Sequence, residues 1–245
     1  MLKKTKKNQI KAVRSIFLIV SGMVVLSSFT NVEEKGMDNI IEPILEYVGE
    51  VISEMSGIHE ERKSILDQIA TDVKKQLQKK EQVQLIYICT HNSRRSHMAQ
   101  LWAQIAACYY GVDKVATFSG GTEATACNTR TAEALRRVGF SVVSTSENQN
   151  PVYMIQFSDD QPPMKTFSKI YNQGGNPTQE FIALMCCSQA DMQCPVIDGA
   201  SSRYAIHYED PKEFDDTNEE MGAYDSRCQE IALEMFYLIS RVSDR

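Results

Sequence analysis

A cysteine and an arginine six positions apart carry the first chemical signal, in the run Cys89-Thr90-His91-Asn92-Ser93-Arg94-Arg95-Ser96-His97-Met98-Ala99. The four residues before it, Leu85-Ile86-Tyr87-Ile88, are apolar and read as a short, fully buried strand. A segment of helical character follows, through Tyr110. A C-x5-R-S loop between a strand and a helix can wrap a tetrahedral oxyanion and turn several backbone N–H groups inward. The positive end of the helix adds attraction for negative charge. Arg95 supplies a planar two-pronged clamp. The same positive features favour a thiolate at Cys89, the form that attacks as a nucleophile, and Ser96 can donate a hydrogen bond to it. Isolated C-x5-R matches arise by chance. The strand before this one and the helix after it are what give it weight.

Two further groups could serve that thiolate. The apolar run 182–187 reads as a central strand ending in Cys186-Cys187, with Cys194-Pro195 beyond it on a polar segment. A strand ending there puts Cys187 on the same rim of the sheet as Cys89. Two thiols on a flexible loop beside a reactive sulfur can pass a disulfide along by exchange. Free cysteine also packs well as a small apolar residue, and for any one of the three that reading is the simpler. The second group is Glu209-Asp210-Pro211, after a short strand at 204–208. A carboxyl group there could protonate a leaving oxygen. Asp-Pro is also a common turn pair. Glu209, Asp215 and Asp216 are weaker candidates. His207 reads as a packed strand residue, and His91 matters for its backbone N–H more than for its ring. Cys108, Cys127 and Cys228 have no motif around them and read as packing residues.

These groups must be held by a sizeable domain. The chain has 245 residues, 42% hydrophobic and 24% charged, enough for one globular body with an appendage. Formal net charge is −6, but residues 1–36 hold seven Lys/Arg against two Glu, leaving the rest at −11. So acidic a body is a poor partner for nucleic acid and must capture an anion by a local positive pocket. Seven cysteines in no disulfide rhythm read as thiols in a reducing compartment.

Residues 1–36 pair a basic start with the apolar run 16–29, which is short for a membrane span. The stretch fits an export signal or anchor, or an extension upstream of a start at Met37. The thiol chemistry favours the second reading and a cytoplasmic protein. Residues 37–81 read as a helical hairpin, 38–55 and 60–80, capped by Asp38 or Asn39 and packed against the catalytic domain or a twin subunit. Residues 82–245 form the catalytic domain. There, 115–119 reads as a strand followed by a turn at 120–123. Residues 128–138 form a helix stopped by Gly139, and 140–143 is extended. This alternation argues an α/β fold with a four-stranded parallel sheet flanked by helices, whose ligands lie at the carboxyl ends of strands. Residues 150–177 carry a β-hairpin insertion that either lids the site or covers a sheet edge. A helix over 217–242 closes the chain.

The loop resembles the phosphate-binding loop of the low-molecular-weight protein tyrosine phosphatase superfamily, which includes thioredoxin-coupled arsenate reductases. The resemblance covers roughly residues 84–242. Ser119-Gly120-Gly121-Thr122-Glu123, Asn128 and the Asp210-Pro211 pair add to it, and Cys187-x6-Cys194-Pro195 is similar to the redox pair of the reductases. It implies the low-molecular-weight phosphatase fold. It also implies an oxyanion held by the loop residues Thr90, His91, Asn92, Ser93, Arg94, Arg95 and Ser96, with Cys89 as nucleophile and Asp210 as general acid. The reductase branch implies a relay through Cys187 and Cys194 to an external thioredoxin-like reductant, without metal or organic cofactor. Cys186 competes for the first relay role, but its spacing to Cys194 is one residue too long. The phosphatase branch implies hydrolysis of phosphomonoesters through a phosphocysteine at Cys89. Lys212-Glu213 after Asp-Pro, where phosphotyrosine enzymes usually offer an aromatic, weighs against that branch. Arg94 stands where many members carry a second cysteine. Gln100 stands where many carry Glu, which puts the potassium site of some reductases in doubt. The N-terminal helices offer a route to a homodimer.

Overall fold

The structure, a computed structural model, describes residues 40–243. The signal-like stretch, the alternative start at Met37 and the expected caps Asp38 and Asn39 lie outside the described residues. Among the described residues no helix is long and apolar enough to cross a membrane.

The apolar run before the cysteine forms β1 (Val83–Cys89), and residues 85–88 within it are fully buried. A strand shielded on both faces belongs at the centre of a parallel sheet. The neighbours of β1 are β2 (Val115–Gly121) on one side and β6 (Phe181–Met185) on the other, with β7 (Ala200–Ala205) outside β6. All three pairings are parallel. The chain leaves β1 in one direction to form β2 and returns on the other side to form β6. The carboxyl end of β1 is therefore a topological switch point, where open α/β sheets leave a crevice for ligands.

Helices flank this sheet. α1 (Glu42–Glu54) begins with Pro43 in its first turn, a residue pre-set for a helix start and in need of no side-chain cap. It is followed by α2 (Glu60–Leu77), by α3 (Arg95–Tyr110) directly after the cysteine loop, and by α4 (Thr129–Val138). α4 opens with the Asn128 side chain accepting from Arg130 N–H and stops at Gly139, whose φ of 113° suits glycine. The chain ends in α6 (Glu220–Val242). Ile44, Val48 and Val51 of α1 and Leu66, Ile69 and Val73 of α2 are fully buried, in one apolar core with the sheet and α6. The stripe that suggested a twin subunit is thus covered within the chain. Trp102 joins these layers. Tyr47 of α1 stacks on it at 5.4 Å, and its ring N–H reaches the Cys228 sulfur of α6 at 3.2 Å.

Two expectations change. The extended run after Gly139 becomes β3 (Ser141–Ser144), which does not join the parallel sheet. It forms a separate antiparallel sheet with β4 (Tyr153–Gln156) and β5 (Met164–Thr166), the hairpin expected in 150–177. Four residues are too few to declare which sheet they will join. Gly120 and Gly121 lie inside β2 rather than in a turn. There Gly121 forms an isolated parallel bridge with Ile170, so the segment after β5 covers the open edge of β2 at the level of the cysteine loop.

Candidate functional site

The loop after β1 is held from outside by its carbonyl groups. Cys89 O accepts from Thr122 N (3.1 Å), Thr90 O from Glu123 N (2.8 Å), Ser93 O from Asn128 N (3.0 Å) and Arg94 O from Met98 N (3.1 Å). His91 O accepts from Ser168 Oγ at 2.7 Å. With the carbonyls turned outward, the N–H groups of His91 to Arg95 find no main-chain acceptor among the described residues. They sit together at the N-terminus of α3. Such a cluster is an anion cradle. Gly121 makes the cradle possible: a Cβ there would lie 2.3 Å from Glu123 O, 2.7 Å from Thr90 O and 2.9 Å from Asn92 N.

Asn92 is buried and adopts a left-handed backbone, φ 45°, which Asn tolerates better than most residues. Its Oδ1 accepts from Lys169 N at 3.0 Å, and its Nδ2 donates to Ser96 Oγ at 3.0 Å. Because Ser96 Oγ already accepts from Asn92, its own hydrogen is free to point at Cys89 Sγ, 3.0 Å away. The chain Lys169–Asn92–Ser96–Cys89 thus aims a hydroxyl donor at the sulfur.

Arg95 lies at the mouth of the loop. One Nη donates to Tyr208 O at 2.8 Å and the other to Asp210 Oδ2 at 2.6 Å. Asp210 also caps the short 3-10 turn Pro211–Phe214 through Lys212 N. Arg94 donates from Nε to the Tyr224 hydroxyl at 3.0 Å, and its Nη1 lies 3.6 Å from Asp210 Oδ1. Asp210 therefore stands beside both guanidiniums. Of the weaker acids, Asp215 accepts from Tyr224 and pairs with Arg130, and Asp216 pairs with Arg130. Half-buried His91 faces exposed Glu123 at 3.5 Å.

The parallel register sets the thiols. Ile88 pairs with Met185, and Cys186 N donates to Ile88 O at 2.6 Å, so the end of β6 runs beside Cys89. Cys186 is fully buried, and burial together with the nearby Cys89 and Cys187 sulfurs pushes its pKa well up, holding it as a thiol. Successive side chains of a strand point to opposite faces. Cys187 accordingly turns to the loop, with its sulfur 3.4 Å from Thr90 Oγ1. The segment after it is not the mobile loop that its polarity suggested but α5 (Ser188–Gln193), with Cys187 at the N-cap and half-buried Cys194 at the C-cap. Seven residues of helix separate Cα atoms by about 10 Å, and a disulfide needs roughly 4.4–6.8 Å. Cys194 can reach Cys187 only if α5 unwinds. Asp191 ties α5 to the region of β7, pairing with Arg203 and, at 3.0 Å, with His207. His207 is thus an exposed residue beyond the end of β7 that faces Asp191, not a packed strand residue.

Several residues of the site carry no motif. Ser168 and Lys169 brace the loop from behind, from the segment first read as a lid or an edge cover. Lys169 is itself buried, which pulls its pKa down to about 8. His97 is fully buried behind the loop with Nδ1 3.1 Å from Ser119 Oγ, and burial followed by the Lys169 charge lowers its pKa to about 3. Tyr224 fixes Arg94. Among the described residues no cluster of His, Cys, Asp and Glu is arranged to hold a metal ion.

No family model matches the chain. Arsenate reductase 2 of Staphylococcus epidermidis is 25% identical over 127 residues, covering 52% of this chain and 77% of that protein. Arsenate reductase 2 of Staphylococcus haemolyticus matches with the same identity and coverage. Among solved structures, an arsenate reductase in the oxidized state aligns with a TM-score of 0.42 at 19% identity, over 65% of this chain and 98% of that one. A low-molecular-weight protein tyrosine phosphatase from T. tengcongensis aligns with a TM-score of 0.41 at 17% identity, over 64% and 98%.

Proposed function

We infer that this chain, a member of the low-molecular-weight protein tyrosine phosphatase superfamily, reduces arsenate to arsenite with three of its cysteines. The observation that carries the reading is the placement of Cys187 against the nucleophile loop, 3.4 Å from Thr90 Oγ1, with Cys194 at the far end of a six-residue helix. Hydrolysis through a phosphocysteine makes no call on a second thiol, whereas reduction of arsenate does.

Arsenate enters the cradle, held by the N–H groups of His91 to Arg95 and by the Arg95 fork once it turns from Tyr208 O and Asp210. The Cys89 thiolate attacks arsenic, and Asp210 protonates the oxygen that leaves as water. Cys187 then attacks the Cys89 sulfur. The S–As bond breaks, its electron pair stays on arsenic, and arsenite departs, leaving a Cys89–Cys187 disulfide. α5 unwinds, Cys194 attacks Cys187, and Cys89 is released as thiolate. A thioredoxin-like dithiol reduces the Cys187–Cys194 disulfide, so the reaction needs no metal or organic cofactor. A relay that must be re-reduced at each turnover fits a cytoplasmic protein.

Phosphomonoester hydrolysis is the second reading, and one observation favours it. Pro211, Phe214 and Met221 line a groove of about 620 Å³ beside Asp210, so an aromatic does reach the site although Lys212-Glu213 intervene in sequence. Arsenate-dependent oxidation of reduced thioredoxin separates the two. It is expected in the native chain and lost in Cys187→Ser and Cys194→Ser. Phosphatase activity surviving both substitutions, with no arsenite formed, would contradict the reductase reading.

A further inference from the structure

We propose that Arg94 is a specificity-determining residue that reads the fourth oxygen of the bound oxyanion and so favours free inorganic oxyanions over their organic derivatives. The inference rests on the oxyanion reading of the Cys89 loop. A tetrahedral anion seated in the cradle would turn three oxygens to its N–H groups and leave the fourth facing out, toward Asp210. Arg94 stands on that side, with Nη1 3.6 Å from Asp210 Oδ1. That separation is an ion pair but too long for a hydrogen bond, so the outer N–H groups of the fork keep their donors. The guanidinium is nevertheless fixed. Its Nε donates to Tyr224 at 3.0 Å, Tyr224 donates to Asp215 at 2.8 Å, and Asp215 pairs with Arg130 at the start of α4. The side chain is 11% exposed. A cation that is largely buried, held by its inner nitrogen and, among the described residues, without a hydrogen-bond acceptor at its outer ones suits a charged or hydroxyl oxygen. A carbon substituent accepts no hydrogen bond from it and can gain at most the weaker stacking of a ring on the guanidinium.

Two ligands that differ only in that fourth group test the proposal: inorganic phosphate and phenylphosphonate. Each is titrated as a protectant of Cys89 against iodoacetamide, read by peptide mass spectrometry of the full chain. The readout is the ratio of the two half-protecting concentrations. Arg94→Ala is expected to weaken phosphate protection roughly tenfold, about the loss of one charge-assisted hydrogen bond, and phenylphosphonate protection less than about threefold. Tyr224→Phe keeps the charge but unlocks the guanidinium, so phosphate protection should weaken about two- to fourfold with phenylphosphonate little changed. It decides the matter if Arg94→Ala does not fold. Equal weakening of both ligands, or an unchanged ratio, overturns the proposal. The measurement needs only binding beside Cys89. Absence of arsenite formation would count against the reductase reading and leave this result standing.

Discussion

The Cys89 loop and α5 share one rim of the sheet, yet they are secured in different ways. The carbonyls of Cys89, Thr90, His91 and Ser93 are each held by a partner outside the loop, and Asn92 ties its interior to Lys169 and Ser96. α5 has six residues, a length at which a helix has little stability of its own. Among the described residues its polar side-chain anchor is Asp191, between Arg203 and His207, and its buried contact is Ala190. A cradle for a developing charge works by not moving, whereas a relay thiol must travel. The two regions show both requirements met within a few residues of each other, by many long-range anchors in one and few in the other.

Gly121→Ala should break the contrast most severely. The new Cβ would lie within 2.9 Å of three loop and turn atoms, so the loop must shift. Affinity for inorganic phosphate should fall by roughly two orders of magnitude in calorimetric titration, while hydrogen exchange in α5 stays as in the native chain.

Acid should attack the same region. His97 behind the loop has a pKa lowered to about 3 by burial, against about 6.5 in an unfolded chain. Between those values the unfolded state binds the extra proton. The stability present above pH 6.5 is therefore lost as pH falls through that window, on the order of a few kcal/mol at its lower end. Denaturant titrations from pH 7 to 4 should show a slope that His97→Gln flattens. Equal slopes would remove His97 from the account.

Asp191→Ala should have the smallest effect and act only on the other partner. Freed from Arg203 and His207, α5 should exchange its amides several-fold faster, by about 1 kcal/mol of lost anchoring, and residues 89–96 should not change. Matching changes in both regions would mean that they are one unit.

What could be read from the chain follows the same division. The buried strand, the cysteine loop, and the Asn128 and Gly139 stops of α4 are written in contiguous residues, because continuous burial and helix ends have local signatures. The anchors are not. Ser168, Lys169 and Tyr224 meet the loop across 77, 77 and 130 residues of sequence, and no periodicity announces such contacts. α5 was hidden because six mostly polar residues carry no apolar stripe. The partner of Asp191, His207, was misplaced because β7 ends at Ala205, before it. Phe214 joined the site only when the 3-10 turn folded it beside Asp210.

A single turnover of the fully reduced native chain with arsenate and no added reductant tests the central claim most directly, with disulfides mapped by mass spectrometry. The account predicts one arsenite per chain and a Cys187–Cys194 disulfide, with Cys89 again a free thiol. Seven free thiols and no arsenite, or a disulfide that omits Cys187, would contradict it.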